Sequence, residues 1–196
     1  MLSNRKMSQS ISLEAQQKRR LRRKYLTLRN KLSSNQIKKD SRKILTNLKK
    51  IPQFQEAESF FIYVAHNNEV RTEELITKLL GQDKIVTVPR IIRNKTMIPV
   101  QVFNLSSLQK NHHGILEPVS IKKYPKKIDL AIVPGLAFTA KGDRVGMGGG
   151  YYDKFLAENS TVYAIGLGYS FQVVDKLPTT RWDRKVNQVV TEKKIF

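Results

Sequence analysis

The sequence predicts an α/β protein, a single domain built as a three-layer α/β/α sandwich around an open, mostly parallel sheet. Three observations carry that reading. Apolar runs of strand length alternate with stretches of helical periodicity along the chain. Runs such as Leu130-Ala131-Ile132-Val133 are apolar at every position, which implies burial on both faces, as in a parallel sheet covered by helices on each side. And 196 residues, 40% of them hydrophobic, suit one substantial core rather than two.

The elements follow in order. Residues 1–12, MLSNRKMSQSIS, are polar without periodicity and read as a flexible lead-in, leaving 13–196 as the domain. From Leu13 the pattern turns helical, with Leu21, Tyr25, Leu28 and Leu32 forming one apolar stripe. Lys18 and Arg22, four apart, stack on a flank of that helix and aim two cations the same way. Ser33 and Gln36 have capping-box spacing and open a second helix with Ile37, Ile44, Leu45 and Leu48 inside; Pro52 follows its end. Phe60–Val64 reads as a buried strand. Thr72, with Glu73 and Glu74, caps a third helix that Gly81 ends. Ile85–Val88, Met97–Phe103, Leu130–Val133 and Val162–Leu167 read as further strands, with a short helix from about Tyr151 to Glu158 before the last.

Composition narrows the function. With no cysteine there is no disulfide frame, thiolate metal site or catalytic thiol. The N-terminus lacks the apolar stretch of a signal peptide and no run approaches a membrane span, so a cytoplasmic, soluble protein is expected. The net charge is +20, and residues 1–50 alone hold 16 Lys/Arg against 2 acidic residues. Such a basic stretch suits RNA, an anionic membrane surface or a polyanionic small substrate, and charge alone does not separate them.

The segment Arg144-Val145-Gly146-Met147-Gly148-Gly149-Gly150-Tyr151-Tyr152-Asp153 is the most informative. Four glycines in five positions directly ahead of a helix let successive N–H groups approach an anion at the positive end of the helix dipole. It reads as a phosphate cradle, although a merely tight connection is the competing account of the glycines alone. Neither the Walker A nor the Rossmann spacing is present. Asp153 caps or pairs in most such settings, but beside a phosphate loop it also suits Mg²⁺, which takes one or two protein carboxylates when bound with nucleotide.

Taken together, the chain resembles the 5-formyltetrahydrofolate cyclo-ligases, also called methenyltetrahydrofolate synthetases. The resemblance runs from Lys18-x-x-x-Arg22 to Thr191. It includes Tyr63…Glu69-Val70-x-Thr72, Val88-Pro89-Arg90, Gly114-Ile115-x-Glu117-Pro118, Val133-Pro134-Gly135-x-Ala137-Phe138 and the Arg144 to Asp153 loop. It implies ATP- and Mg²⁺-dependent closure of 5-formyltetrahydrofolate to 5,10-methenyltetrahydrofolate, with release of ADP and phosphate, by phosphorylation of the formyl oxygen. It also implies the roles: Lys18 and Arg22 on ATP phosphates; Arg144, Gly146, Gly148, Gly149, Gly150, Tyr151 and Tyr152 around the nucleotide; Asp153 and Asp183 on Mg²⁺; Val64 and Glu69 on the folate. Of the aromatics, Tyr152 is the one expected to stack on a substrate ring. Lys18, Arg144 and Asp153 are the expected catalytic set.

Glu69 fits its role chemically, since a carboxylate accepts two hydrogen bonds from the donor edge of an aminopyrimidinone. His66, His112 and His113 have no partners at metal-ligand spacing and read as ordinary loop residues. Arg90, Glu117 and Trp182 receive no assigned role. Two positions depart from the family pattern: Thr139 and Asn187 stand where aspartates are usual. The expected partners are ATP and a reduced folate, with or without a polyglutamate tail, with the protein a monomer, no membrane and only weak non-specific nucleic-acid binding. Two alternatives stay open: a family member acting on another substrate, and a basic RNA-associated protein. Against the second, residues 1–50 offer only Tyr25 as a stacking aromatic.

Overall fold

The structure, a computed structural model, describes residues 2–92, 96–112 and 114–196, with side chains from Leu13 onward. The elements run α1 (Leu2–Asn30), α2 (Ser34–Leu48), α3 (Pro52–Glu56), β1 (Ser59–Ile62), α4 (Glu73–Leu80), β2 (Ile85–Ile92), β3 (Thr96–Val102), β4 (Leu108–Lys110), β5 (Leu116–Pro118), β6 (Leu130–Pro134), β7 (Ala137–Thr139), β8 (Arg144–Val145), α5 (Tyr151–Glu158), β9 (Tyr163–Leu167), β10 (Val173–Val174) and β11 (Gln188–Val190). The central sheet has the order β11-β9-β6-β1-β2-β3. Every pairing in it is parallel except β2 with β3, an antiparallel edge.

The three layers follow from the pleat, because successive residues of a strand point to opposite faces. Phe60 and Ile62 of β1, Leu130 and Ile132 of β6 and Ile165 of β9 meet Ile44 and Leu48 of α2, Phe54 of α3 and Leu75, Ile76 and Leu79 of α4. The alternate residues Phe61, Ala131, Val133 and Ala164 meet Phe155 and Leu156 of α5. Phe61 and Phe155 stack with centroids 4.2 Å apart. Fully burying such side chains stabilises by about 1.5–3 kcal/mol each, so the all-apolar strands that predicted a two-sided sheet also hold it together. A second, small sheet of β10, β7 and β8 and the β4–β5 hairpin lie outside the main one. Phe138 of β7 is held by Gly135, Gly166 and Gly168, where an added Cβ would come within 2.4, 2.5 and 3.0 Å of its ring.

Local expectations need four corrections. Ser33 caps α2 by accepting from the Gln36 N–H, but the Gln36 side chain turns to Asp40 at 2.6 Å, so half of the capping box forms. Thr72 stands at the start of α4 without capping it; its buried hydroxyl donates to the Tyr63 carbonyl and accepts from the Ala65 N–H, tying the helix entry to the end of β1. The inward face of α1 is also rotated from the leucine stripe. Tyr25 is buried against Leu136, Ala137 and Val145, yet Leu28 is 36% exposed, while Lys18 at 8% and Arg29 at 3% are buried. Lys18, Arg22, Tyr25 and Arg29, at i, i+4, i+7 and i+11, are the true inner face. The helix itself reaches back to Leu2, through the segment read as a lead-in.

Candidate active site

A cleft of about 1000 Å³ opens where the parallel strands end, the edge at which open α/β sheets present their loops. Lys18, Arg22, Val64, Glu69, Arg144, Gly146, Gly148, Gly149, Gly150, Tyr151, Tyr152, Asp153 and Asp183 all line it. The residues singled out from sequence are therefore gathered into one site, contributed by α1, the segment after β1, β8 with the glycine loop and the first turn of α5, and the loop before β11.

One end is the glycine loop. Gly148 has φ +107°, and an added Cβ there would lie 3.2 Å from the Arg22 guanidinium carbon. Gly150, at φ +71°, turns the chain into α5. These are positions that favour glycine over any residue with a side chain. Arg22 Nε donates to the Gly146 carbonyl at 2.9 Å, docking α1 on the loop. Arg144, 7% exposed, donates to Asp153 Oδ1 at 2.9 Å, and the Arg184 N–H adds a second bond to that oxygen at 3.1 Å. Lys18 pairs with Asp183, whose Oδ2 also accepts from the Thr180 N–H at 2.6 Å and hydroxyl at 3.2 Å. Burial disfavours the Asp183 charge, but Lys18 and the Thr180 donors outweigh it and hold the carboxyl below its usual range. Tyr152 leans over this end, its ring 5.7 Å from the Arg144 guanidinium and 6.1 Å from Phe61. Burial, and then the Glu69 charge, pushes its phenol far up, so it stays protonated as a donor.

At the other end Glu69 accepts from the His66 N–H at 3.0 Å through Oε2, and Oε1 lies 3.5 Å from Arg29. Here burial wins: the Glu69 carboxyl sits above its ordinary value despite Arg29 and the His66 N–H. Tyr63, whose hydroxyl donates to the Val70 carbonyl at 2.8 Å, and the buried Val64 wall this end.

Sequence reasoning passed over Arg29, although a cation eleven residues after Lys18 continues the same helix face. It also passed over Arg184, which serves through its main chain. Glu117 of β5 lines the cleft and pairs with Arg90 of β2, so it ties the β4–β5 hairpin to the main sheet. Trp182 stands at the rim, 66% exposed beneath Arg181. His66 lines the cleft; His113 lies outside the described residues. Thr139 is buried and bonded to Asp143 at 3.0 Å, and Asn187 accepts from the Ala164 N–H at 2.8 Å, so both departures serve the scaffold and neither lines the cleft.

Among the described residues no group of three or more His, Cys, Asp or Glu is placed to hold a metal. Asp153 and Asp183 nevertheless suit Mg²⁺ bound with phosphates, which needs only one or two hard oxygen donors from protein. The bonds just given use Oδ1 of Asp153 and Oδ2 of Asp183, leaving the other oxygen of each carboxylate for a cation. No described helix is long and apolar enough to cross a membrane.

The chain is similar to known proteins over most of its length. The 5-formyltetrahydrofolate cyclo-ligase family model matches residues 14–192. The chain is 30% identical over 171 residues to the 5-formyltetrahydrofolate cyclo-ligase of Haemophilus influenzae, covering 76% of this chain and 91% of that one. It is 28% identical over 181 residues to the Escherichia coli protein of the same name, covering 86% and 96%. The NMR structure of Aquifex aeolicus 5,10-methenyltetrahydrofolate synthetase superposes with a TM-score of 0.79 at 34% identity, covering 91% of each chain. A second synthetase, from Mycoplasma pneumoniae, shares the fold with a TM-score of 0.70 at 22% identity over 89% and 98%.

Proposed function

The chain belongs to the 5-formyltetrahydrofolate cyclo-ligase family, and from that membership we propose that it closes 5-formyltetrahydrofolate to 5,10-methenyltetrahydrofolate at the expense of ATP, releasing ADP and phosphate. The observation that carries the reading is the convergence, in one cleft, of a cation-lined glycine loop and a half-buried carboxylate suited to an aminopyrimidinone.

The chemistry starts from a formamide whose oxygen is a poor leaving group. That oxygen attacks the γ-phosphorus; the bond from phosphorus to the β,γ-bridging oxygen breaks and ADP departs. N10 then attacks the formyl carbon, the carbon–oxygen bond breaks with loss of phosphate, and the N10 proton goes to solvent. Such transfer asks for positioning and charge neutralisation more than for an acid–base pair. Lys18, Arg22 and Arg144 neutralise the phosphates, while Gly146, Gly148, Gly149 and Gly150 let the backbone approach them. Tyr151 and Tyr152 flank the nucleotide, and Glu69, Val64 and Tyr152 hold the pterin. Asp153 and Asp183 would hold Mg²⁺, which when bound supplies further positive charge to the phosphates. The N-terminal positive charge concentrates both polyanionic substrates, polyglutamylated folate included. A cytoplasmic monomer fits the lack of cysteine and the self-contained cleft.

The test is to mix the protein with 5-formyltetrahydrofolate and Mg·ATP and follow the near-ultraviolet absorbance of the methenyl product. Growth of the signal with ATP and its absence without ATP is expected. A flat trace from folded protein that binds ATP would discard the folate and favour another substrate.

A further inference from the structure

The proposed reaction leaves one buried cation of the cleft without a task. Arg29 is 3% exposed and approaches Glu69 only to 3.5 Å, and its Nε is buried with no hydrogen-bond partner among the described residues. A buried donor left unmet is costly, and native proteins keep few of them. Arg29 is also held in place: its carbonyl accepts from the Asn68 side chain at 3.2 Å, fastening the end of α1 to the loop that carries Glu69.

We propose that Arg29 is a specificity-determining residue that donates to the 4-oxo group of the pterin while Glu69 accepts from the neighbouring ring N–H and amino group. The inference rests on the folate reading above. A 2-amino-4-oxopyrimidine presents an acceptor, a donor and a second donor in a row. A carboxylate matches the two donors and would repel the acceptor, so a complete reading of the edge needs a cation flanking the carboxylate. Oε2 of Glu69 already accepts from the His66 N–H, and Oε1 is the oxygen that faces Arg29. With the ring N–H on Oε1, the oxo group falls on the Arg29 side. The other cleft cations have partners elsewhere: Lys18 pairs with Asp183, Arg22 donates to the Gly146 carbonyl, Arg144 pairs with Asp153, Lys154 pairs with Glu158 and Arg184 donates to the Arg181 carbonyl.

The experiment compares dissociation constants for 5-formyltetrahydrofolate and its 4-thioxo analogue, which keeps both donors but offers sulfur, a weak acceptor. Wild type, Arg29→Met and Arg29→Gln are measured, with ATP affinity and thermal midpoint alongside. Wild type should prefer the oxo compound roughly 10- to 100-fold, as expected for a charge-assisted bond. Both variants should lose most of that preference and bind the oxo compound more weakly, with ATP affinity within about twofold of wild type. Arg29→Gln supplies the answer if the methionine variant does not fold. Equal wild-type affinity for the two compounds, or a folded variant that keeps the wild-type preference, overturns the proposal. Wild type that binds neither compound refutes the folate reading itself, a result distinct from loss of the preference alone.

Discussion

Asp183 and Glu69 are both carboxylates facing a cation in the same cleft, yet their protonation is pushed in opposite directions. Asp183 is partly open, in contact with Lys18 and bonded twice by Thr180, and its charge is favoured. Glu69 is more deeply buried, meets Arg29 only loosely at 3.5 Å, and its charge is disfavoured. The difference shows how one cleft would serve the two ligands proposed for it. At the glycine-loop end, charge is balanced within the protein and available for exchange with phosphates and a cation. At the Glu69 end, the carboxylate and Arg29 retain unmet hydrogen-bonding capacity, a setting for a neutral heterocycle whose edge supplies donors and an acceptor.

Breaking the phosphate end should have the largest effect. Asp153→Asn removes the charge that balances Arg144, and kcat should fall about 100-fold or more with the dependence on Mg²⁺ flattened; unchanged kinetics would take Asp153 out of the metal site. Glu69→Gln should raise the KM for folate roughly 10- to 100-fold, with that for ATP unaltered, and normal folate kinetics would leave the pterin contact unsupported. Gly148→Ala introduces a side chain at φ +107°, 3.2 Å from the Arg22 guanidinium carbon. The KM for ATP should rise about tenfold while folate binding holds, and an equal loss of both would mean that the loop serves the whole cleft.

The smallest effect is a pH dependence. Glu69 must be ionised to accept two donors, and its carboxyl lies above the usual value. Folate affinity should therefore fall as pH drops through that raised value, by at most about tenfold per pH unit. ATP affinity should not follow over the same range, because Asp183 is held below the usual value. Titrations of each ligand from neutral to acid pH separate the two, and parallel curves would erase the distinction between the ends.

The scaffold was legible because its signals are local. All-apolar strands, a helix of matching length at Tyr151–Glu158 and the Ser33 cap are each decided within a few residues. The glycine loop was legible for the same reason, since four glycines before a helix have few uses. The face of α1 was not. Leucines at helical spacing signal a core, but α1 lies over the cleft, so Lys18, Arg22 and Arg29 turn inward and Leu28 turns out. Arg29 was hidden because nothing in a basic helix tells a cation that will be buried from one that stays in water. The Thr72 hydroxyl and the Thr139 and Asn187 side chains likewise found their partners only through the tertiary fold.

The division of the cleft is tested most directly by calorimetric titration of wild type, Lys18→Ala and Glu69→Gln with Mg·ATP and with 5-formyltetrahydrofolate separately. The account predicts a double dissociation: Lys18→Ala loses about tenfold or more in ATP affinity and keeps folate, while Glu69→Gln does the reverse. Loss of both ligands in equal measure by either folded variant would contradict it.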